Sequence, residues 1–481
     1  MIQYRAVRRI TEFTIFILLI TFGAGCSSPQ RRSDLNELYT RSTTYPKPKR
    51  NPVIVIPGLL GSRLRDSETG TVVWGAFSGV FANPQTAQGA RLASLPMEEG
   101  VPLRELKDSV ISDGALDKLS VNVFFMPIRL NAYFNILKIL GVGGYRDEDL
   151  AKSGTVKYPP GHFTSFQFDY DWRRDIVENA KLLDEFLKKE RRYVQSEVEK
   201  RFGIKNHDVK FNLVAHSMGG LIARYYLRYG AEDLPEDGSL PETTWAGAKY
   251  IEKVVLVGTP NAGSIKAFTN LVEGFKGVRF IPAYSAAILG TMPSFYQLLP
   301  QLQHKMVVWD DDPEGPPVDI YDPELWAKKG WGLASPAEDR ALKMLLPEAK
   351  TREERLRIAL DHQKKCLQRA RRVWGALNLQ SQPPEHVSLK LFAGDAVMTP
   401  AAVSVNSQNS SIKVIKKAPG DGTVLRSSAL SDERVGGEWS PQLVSPIKWR
   451  SVMFLFSDHM GMTEDPAFSD NILFYLLEQP D

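Results

Sequence analysis

Cysteine is almost missing from this sequence: of 481 residues only Cys26 and Cys366 carry a thiol, which excludes a disulfide framework of more than one bridge. Histidine is also scarce, with seven in all, so any imidazole chemistry has few candidates. Charge of one sign is lacking, because 60 basic residues face 56 acidic ones for a formal net charge of +4. No run of Lys and Arg is interleaved with aromatics, and nucleic acid is therefore not an expected partner. Long apolar runs are absent too. The N-terminal one, Phe13 to Phe22, covers about ten residues and is too short to cross a bilayer as a permanent helix. What remains is 43% apolar and 10% aromatic content, the balance of a globular chain able to bury a sizeable core.

Arg5, Arg8 and Arg9 precede that apolar run, and residues 1–25 read as a secretory signal peptide of the lipoprotein type. The stretch Phe22-Gly23-Ala24-Gly25-Cys26-Ser27-Ser28 resembles a bacterial lipobox. The resemblance implies that Cys26 is lipidated, becomes the new N-terminus and anchors the protein in the cell envelope. Serine rather than aspartate after the cysteine fits onward sorting to the outer membrane, on its periplasmic side. A plain secretory signal cleaved nearby is the alternative. A lipidated Cys26 has no thiol left for Cys366, which reads as structural. Residues 26–51, rich in Ser, Pro, Arg and Lys, have the composition of a flexible tether; the folded domain is expected over 52–481.

Within it, Val53 to Ile56 reads as a buried strand closed by Pro57-Gly58. Thr164 to Phe168 is a second strand, and Asp175 to Arg201 is an amphipathic helix ended by Gly203. Val209 to Ala215 is a strand followed by a helix from Ser217 toward Gly230, and Lys253 to Val257 and Val387 to Ala393 are further strands. A helix over Ala467 to Leu477 closes the chain. Strands alternating with helices imply βαβ units and a mainly parallel sheet flanked by helices. Two segments break the alternation, about 74–162 and 264–384, and read as insertions forming cap or lid regions. Apolar residues between Ala267 and Leu299, among them Phe268, Leu271, Phe275, Leu289, Met292 and Phe295, would supply the surface above the site.

The stretch Phe211-Asn212-Leu213-Val214-Ala215-His216-Ser217-Met218-Gly219-Gly220 sets a serine between strand and helix, with small residues two positions to either side. That is the context of a nucleophile elbow, whose sharp turn tolerates only small neighbours and exposes the hydroxyl at the carboxyl edge of the sheet. Ala215 stands where the pattern usually has glycine and meets the same steric need. The α/β-hydrolase fold is the expectation. The Met218 amide is a candidate oxyanion donor, and the turn Pro57-Gly58-Leu59-Leu60-Gly61-Ser62 offers the Leu59 amide as the second.

A serine hydroxyl needs a histidine to take its proton and a carboxylate to orient that histidine, and in this fold the chain order is nucleophile, acid, base. His459, in Phe456-Ser457-Asp458-His459-Met460-Gly461-Met462, is the one histidine in a late loop. The other six, His216 inside the elbow included, read as structural. Asp395 in Phe392-Ala393-Gly394-Asp395 and Asp421 in Pro419-Gly420-Asp421-Gly422-Thr423-Val424 both qualify as the acid, and position does not separate them. This chemistry needs neither metal nor cofactor.

Five motifs together resemble the lecithin:cholesterol acyltransferase and lysosomal phospholipase family: Pro57 to Ser62, Tyr170-Asp171-Trp172-Arg173-Arg174, Ala215 to Gly219, Gly420 to Val424, and Ser457-Asp458-His459. Val257-Gly258-Thr259-Pro260-Asn261-Ala262-Gly263 also resembles that family's loop into its cap. The likeness runs from Val53 to the C-terminus, but not through the insertions, and the family's disulfides are absent. It implies a catalytic triad of Ser217, Asp421 and His459, oxyanion amides from Leu59 and Met218, and an acyl-enzyme formed from a lipid or fatty-acyl ester and passed to water or an alcohol. Rival readings are an α/β-hydrolase acting on a non-lipid ester or thioester and a non-catalytic lipid-binding envelope lipoprotein. The Asp171 to Arg174 motif reads as a structural ion-pair and packing unit.

Overall fold

The structure, a computed structural model, describes residues 33–44, 50–75, 81–115, 132–277 and 281–479. Cys26 and the signal segment 1–25 lie outside the described residues. The described residues form twelve strands in chain order: β1 (Val53–Ile56), β2 (Ser62–Asp66), β3 (Val72–Trp74), β4 (Val110–Ala115), β5 (Ser165–Gln167), β6 (Phe211–His216), β7 (Ile251–Val257), β8 (Val307–Trp309), β9 (Ser388–Gly394), β10 (Val397–Val405), β11 (Ile412–Gly420) and β12 (Ser451–Leu455). Six of them make the main sheet in the order β12-β9-β7-β6-β1-β5, and every pairing in it is parallel. Helices cover both faces of such a sheet, so its strands lose their alternation and become continuous apolar runs. β1 (Val-Ile-Val-Ile) and β6 are buried at every position.

The helix Ile176–Phe202 is capped at its start by Asp175, whose carboxylate accepts from the Val177 amide. It stops at Gly203, which takes the left-handed conformation with φ 69°. The helix Met218–Tyr229 is buried along its whole length because it packs behind β6 under the rest of the domain. Among the described residues no helix is long and apolar enough to cross a membrane.

The first insertion divides between two parts of the core. β4 completes a small antiparallel sheet with β2 and β3, while the helix Ala132–Val142 packs with Leu455, Phe468, Ile472 and Leu473 on the opposite side. The second insertion carries the long helix Arg352–Asn378, in which Cys366 is fully buried, and a dense cluster in which Trp326, Trp331 and Phe268 meet edge to face. Composition marks 26–51 as a flexible tether, but Leu35–Thr44 is a helix. Burial explains the difference: Tyr39 is only 5% exposed and belongs to the same apolar cluster as Ile136, Leu140 and Leu473, and Ser33 donates to Asp470 at 3.0 Å.

Candidate active site

β6 ends at His216, and the chain turns at once into the helix beginning at Met218. Ser217, at the corner, is forced to φ 52° and ψ −126°, a strained conformation for any residue with a side chain. Its amide is held by the Val257 carbonyl at 2.8 Å. The turn is packed so closely that a Cβ on Gly219 would come within 2.4 Å of the Pro57 carbonyl oxygen, the steric reason for a glycine two positions after the serine. Met218 is the first residue of its helix, where the N–H has no intrahelical acceptor.

His459, carried by the loop after β12, approaches from across the sheet. Its Nε2 lies 3.0 Å from the Ser217 hydroxyl, and its Nδ1 lies 2.8 Å from Asp421 Oδ2. The carboxylate can only accept, so the proton sits on Nδ1 and the lone pair on Nε2 faces the serine, which donates to it. The other oxygen of Asp421 accepts from the amides of Thr423 and Val424 at 2.9 and 2.7 Å. Burial alone would raise the Asp421 carboxyl. The nearby His459, its hydrogen bond and those two amides overcome that penalty and hold the group below the usual carboxylate range.

Asp395, the other candidate acid, follows β9 of the main sheet, but its carboxylate lies 4.0 Å from Arg426 and its amide donates to the Leu455 carbonyl. Geometry thus brings Asp421, and not Asp395, against His459.

The Pro57–Ser62 turn lies directly on the elbow. A Cβ on Gly58 would sit 2.7 Å from that of Ser217 and 3.4 Å from the Met218 amide nitrogen. The Tyr170–Arg174 motif clamps this turn in place. Tyr170 donates its hydroxyl to the Pro57 carbonyl at 2.7 Å, and the Trp172 indole donates to the Ser62 carbonyl at 3.1 Å. Arg173, fully buried, is paired with Asp171 and Asp108 and donates to the carbonyls of Leu92 and Ser94. Five donors in a rigid fork suit such a site, where an unpaired cation would be costly. The motif is therefore the structural ion-pair and packing unit its composition implies, with an added role in seating the turn.

Ser217 and His459 open into a cavity of about 270 Å³. Its upper wall is apolar, with Trp74, Phe275, Tyr284, Leu289, Met292 and Phe295, and Leu59 and Trp172 also line it. Most of these come from the segment expected to lie above the site. Phe268 and Leu271, read from sequence with the same wall, are absent from the lining and buried in the core instead, Phe268 against Trp331 at 5.3 Å between ring centroids.

Two residues at the site escape a reading of the sequence. His216 donates toward the backbone of His459, and Tyr133 joins it from the first insertion. The elbow pattern leaves the residue before the serine free to vary, and nothing in the neighbourhood of Tyr133 in sequence signals a distant partner.

Residues 152–320 match the lecithin:cholesterol acyltransferase family model. Among solved structures, the chain is similar to one from the Tle4-Tli4 complex, at 15% identity over 89% of this chain and 98% of that one, with a TM-score of 0.57; that likeness is one of fold. Lower-scoring likenesses are to Bacillus licheniformis lipase BlEst2 in propeptide form (12% identity, 91% of this chain and 53% of that one, TM-score 0.32) and to EstA from Clostridium botulinum (13% identity, 90% and 89%, TM-score 0.31). No curated protein sequence matches the chain. By fold the chain is an α/β-hydrolase, and over residues 152–320 it is similar to the lecithin:cholesterol acyltransferase family.

Proposed function

We propose that the protein is a serine-dependent lipid acyl hydrolase or acyltransferase that works through an acyl-enzyme on Ser217. The observation that carries this reading is the hydrogen-bonded run Ser217–His459–Asp421 opening on an apolar cavity. Ser217 Oγ attacks the ester carbonyl while His459 Nε2 takes its proton, and Asp421 stabilises the imidazolium that forms. The negative oxygen of the tetrahedral intermediate is received by the amides of Leu59 and Met218. Collapse expels the alcohol of the ester, which takes the proton back from His459. Water or a lipid alcohol then attacks the acyl-enzyme by the same steps. The apolar wall supports a fatty-acyl chain as the group retained.

Ser217→Ala is expected to lower turnover of fatty-acyl esters by at least about 10³-fold and to abolish labelling by a fluorophosphonate in protein shown to be folded. Full activity in that variant would refute the assignment. Turnover of short soluble esters alone would point to a non-lipid esterase, and a folded wild type that takes up no label would point to a lipid-binding lipoprotein.

We propose further that Cys26 is lipidated and holds the enzyme at the bacterial cell envelope, in keeping with the lipobox-like stretch before it. Cells fed labelled palmitate should incorporate it into the wild type and not into Cys26→Ser; equal incorporation would remove the anchor.

A further inference from the structure

His216 precedes the nucleophile and is 1% exposed. Its Nε2 lies 3.1 Å from the carbonyl oxygen of His459 and its Nδ1 lies 3.2 Å from the hydroxyl of Tyr133. That hydroxyl is in turn 2.9 Å from the amide of Gly58. A carbonyl oxygen only accepts, so Nε2 of His216 carries the ring proton. Burial pushes the His216 pKa down to about 3, which keeps the ring neutral and leaves Nδ1 as an acceptor. The Tyr133 hydroxyl, itself held neutral by burial, must then donate to Nδ1, and its oxygen is free to accept from Gly58 N–H. Each group in the run is satisfied in a single direction: Gly58 N–H to Tyr133 oxygen, Tyr133 O–H to His216 Nδ1, His216 Nε2–H to the His459 carbonyl.

The two ends of this run belong to the two halves of the chemistry. Gly58 precedes the Leu59 amide, and His459 is the base, yet they come from opposite ends of the chain. The space for the connection is built in: a Cβ on Gly61 would fall 2.6 Å from the Tyr133 hydroxyl oxygen, and the Gly61 amide instead closes the turn onto the Gly58 carbonyl at 3.0 Å.

We propose that Tyr133 and His216 are positioning residues, forming one hydrogen-bonded brace that sets the oxyanion turn and the base in register across the nucleophile. This rests on the reading of Ser217, His459 and Leu59 as one catalytic site. Neither side chain lines the cavity above Ser217. What the brace provides is geometry: the base must meet the serine, and the amide must meet the oxyanion, at the same moment. A displacement of about 1 Å in such a site costs on the order of 10²-fold in rate. A fixed donor–acceptor order suits this role, since removing any one group leaves its neighbours buried and unpaired.

The test uses the full-length protein, a soluble short-chain p-nitrophenyl ester, and the variants Tyr133→Phe, His216→Gln and the double variant. Tyr133→Phe removes only the oxygen and is expected to lower kcat by about ten- to a hundredfold, with KM within about twofold and the folded circular dichroism spectrum retained. Because the groups act as a unit, the double variant should lose no more than the worse single variant. Retained kcat in both singles, losses that multiply, or an effect confined to KM or to the thermal midpoint would each overturn the proposal. Should Tyr133→Phe misfold, His216→Gln alone carries the kcat against KM comparison. Ser217→Ala in the same assay separates the two readings. If it stays active, the catalytic assignment fails; if it is inactive while Tyr133→Phe turns over normally, only the brace fails.

Discussion

The cavity above Ser217 has two walls of opposite character. The lower wall is made of chain ends and turns at the carboxyl edge of the parallel sheet, and its side chains are joined in one run: Ser217 with His459, His459 with Asp421, and Asp421 with two amides. The upper wall, drawn largely from residues 264–298, is mostly apolar side chain, with Phe275, Leu289, Met292 and Phe295 facing the cavity. Hydrogen bonds are directional and lose their value with small displacements, whereas apolar contact depends on area and volume. The lower wall is therefore suited to fixing reacting atoms and the upper one to selecting what is brought to them. Sequence expresses the same division: the motifs fall on the lower wall, and the upper wall is an insertion without one.

The separation can be broken from either side. The largest effect is expected at the lower wall, where Asp421→Asn keeps the shape but gives the imidazole an amide in place of a carboxylate; kcat should fall by about 10⁴-fold for short and long acyl esters alike. A loss that depended on chain length would mean that Asp421 contributes to selection as well. A smaller effect is expected from Phe275→Ala, a half-buried residue of the upper wall. It should lower kcat/KM for long-chain esters by about tenfold while leaving short-chain turnover nearly unchanged. If both substrates fell together, the upper wall would be holding the chemistry and not only the chain.

Much of the fold was legible because a parallel sheet buried on both faces writes itself as short apolar runs. β1, β5, β6, β7 and β9 all fall where such runs occur, within a few residues. β12 escapes a reading of the sequence because it is the edge of the main sheet: Ser-Val-Met-Phe-Leu is half-buried over most of its length and has no fully buried run. The β10–β11 hairpin was also missed: β11 is an edge strand whose lysines and exposed Val414 and Ile415 blur any two-residue period. At the site, the order of serine, acid and histidine limits the choice to two aspartates and position in the chain does not separate them; only the family resemblance points to Asp421. What distinguishes them in the structure is β12 and the loop after it: the loop lowers His459 onto Asp421, and the end of the strand takes the Asp395 amide at Leu455. Tyr133 and His216 were beyond reach for a different reason. Their contact joins an insertion to the elbow, and no local pattern marks a hydrogen bond between residues so far apart in the chain.

The helix Leu35–Thr44 bears on how such an enzyme would meet a membrane. Were the whole stretch from Cys26 to Arg50 slack, covalent geometry would allow a leash of roughly 80 Å, long enough for the catalytic domain to tumble and sample any orientation. With Tyr39 seated against the domain and Ser33 tied to Asp470, covalent geometry sets Cys26 at most about 25 Å from the first anchored residue. A lipid on Cys26 would then moor the protein close to the bilayer and on one side, so that most of the search for substrate is made by the lipids diffusing beneath it and little by the enzyme.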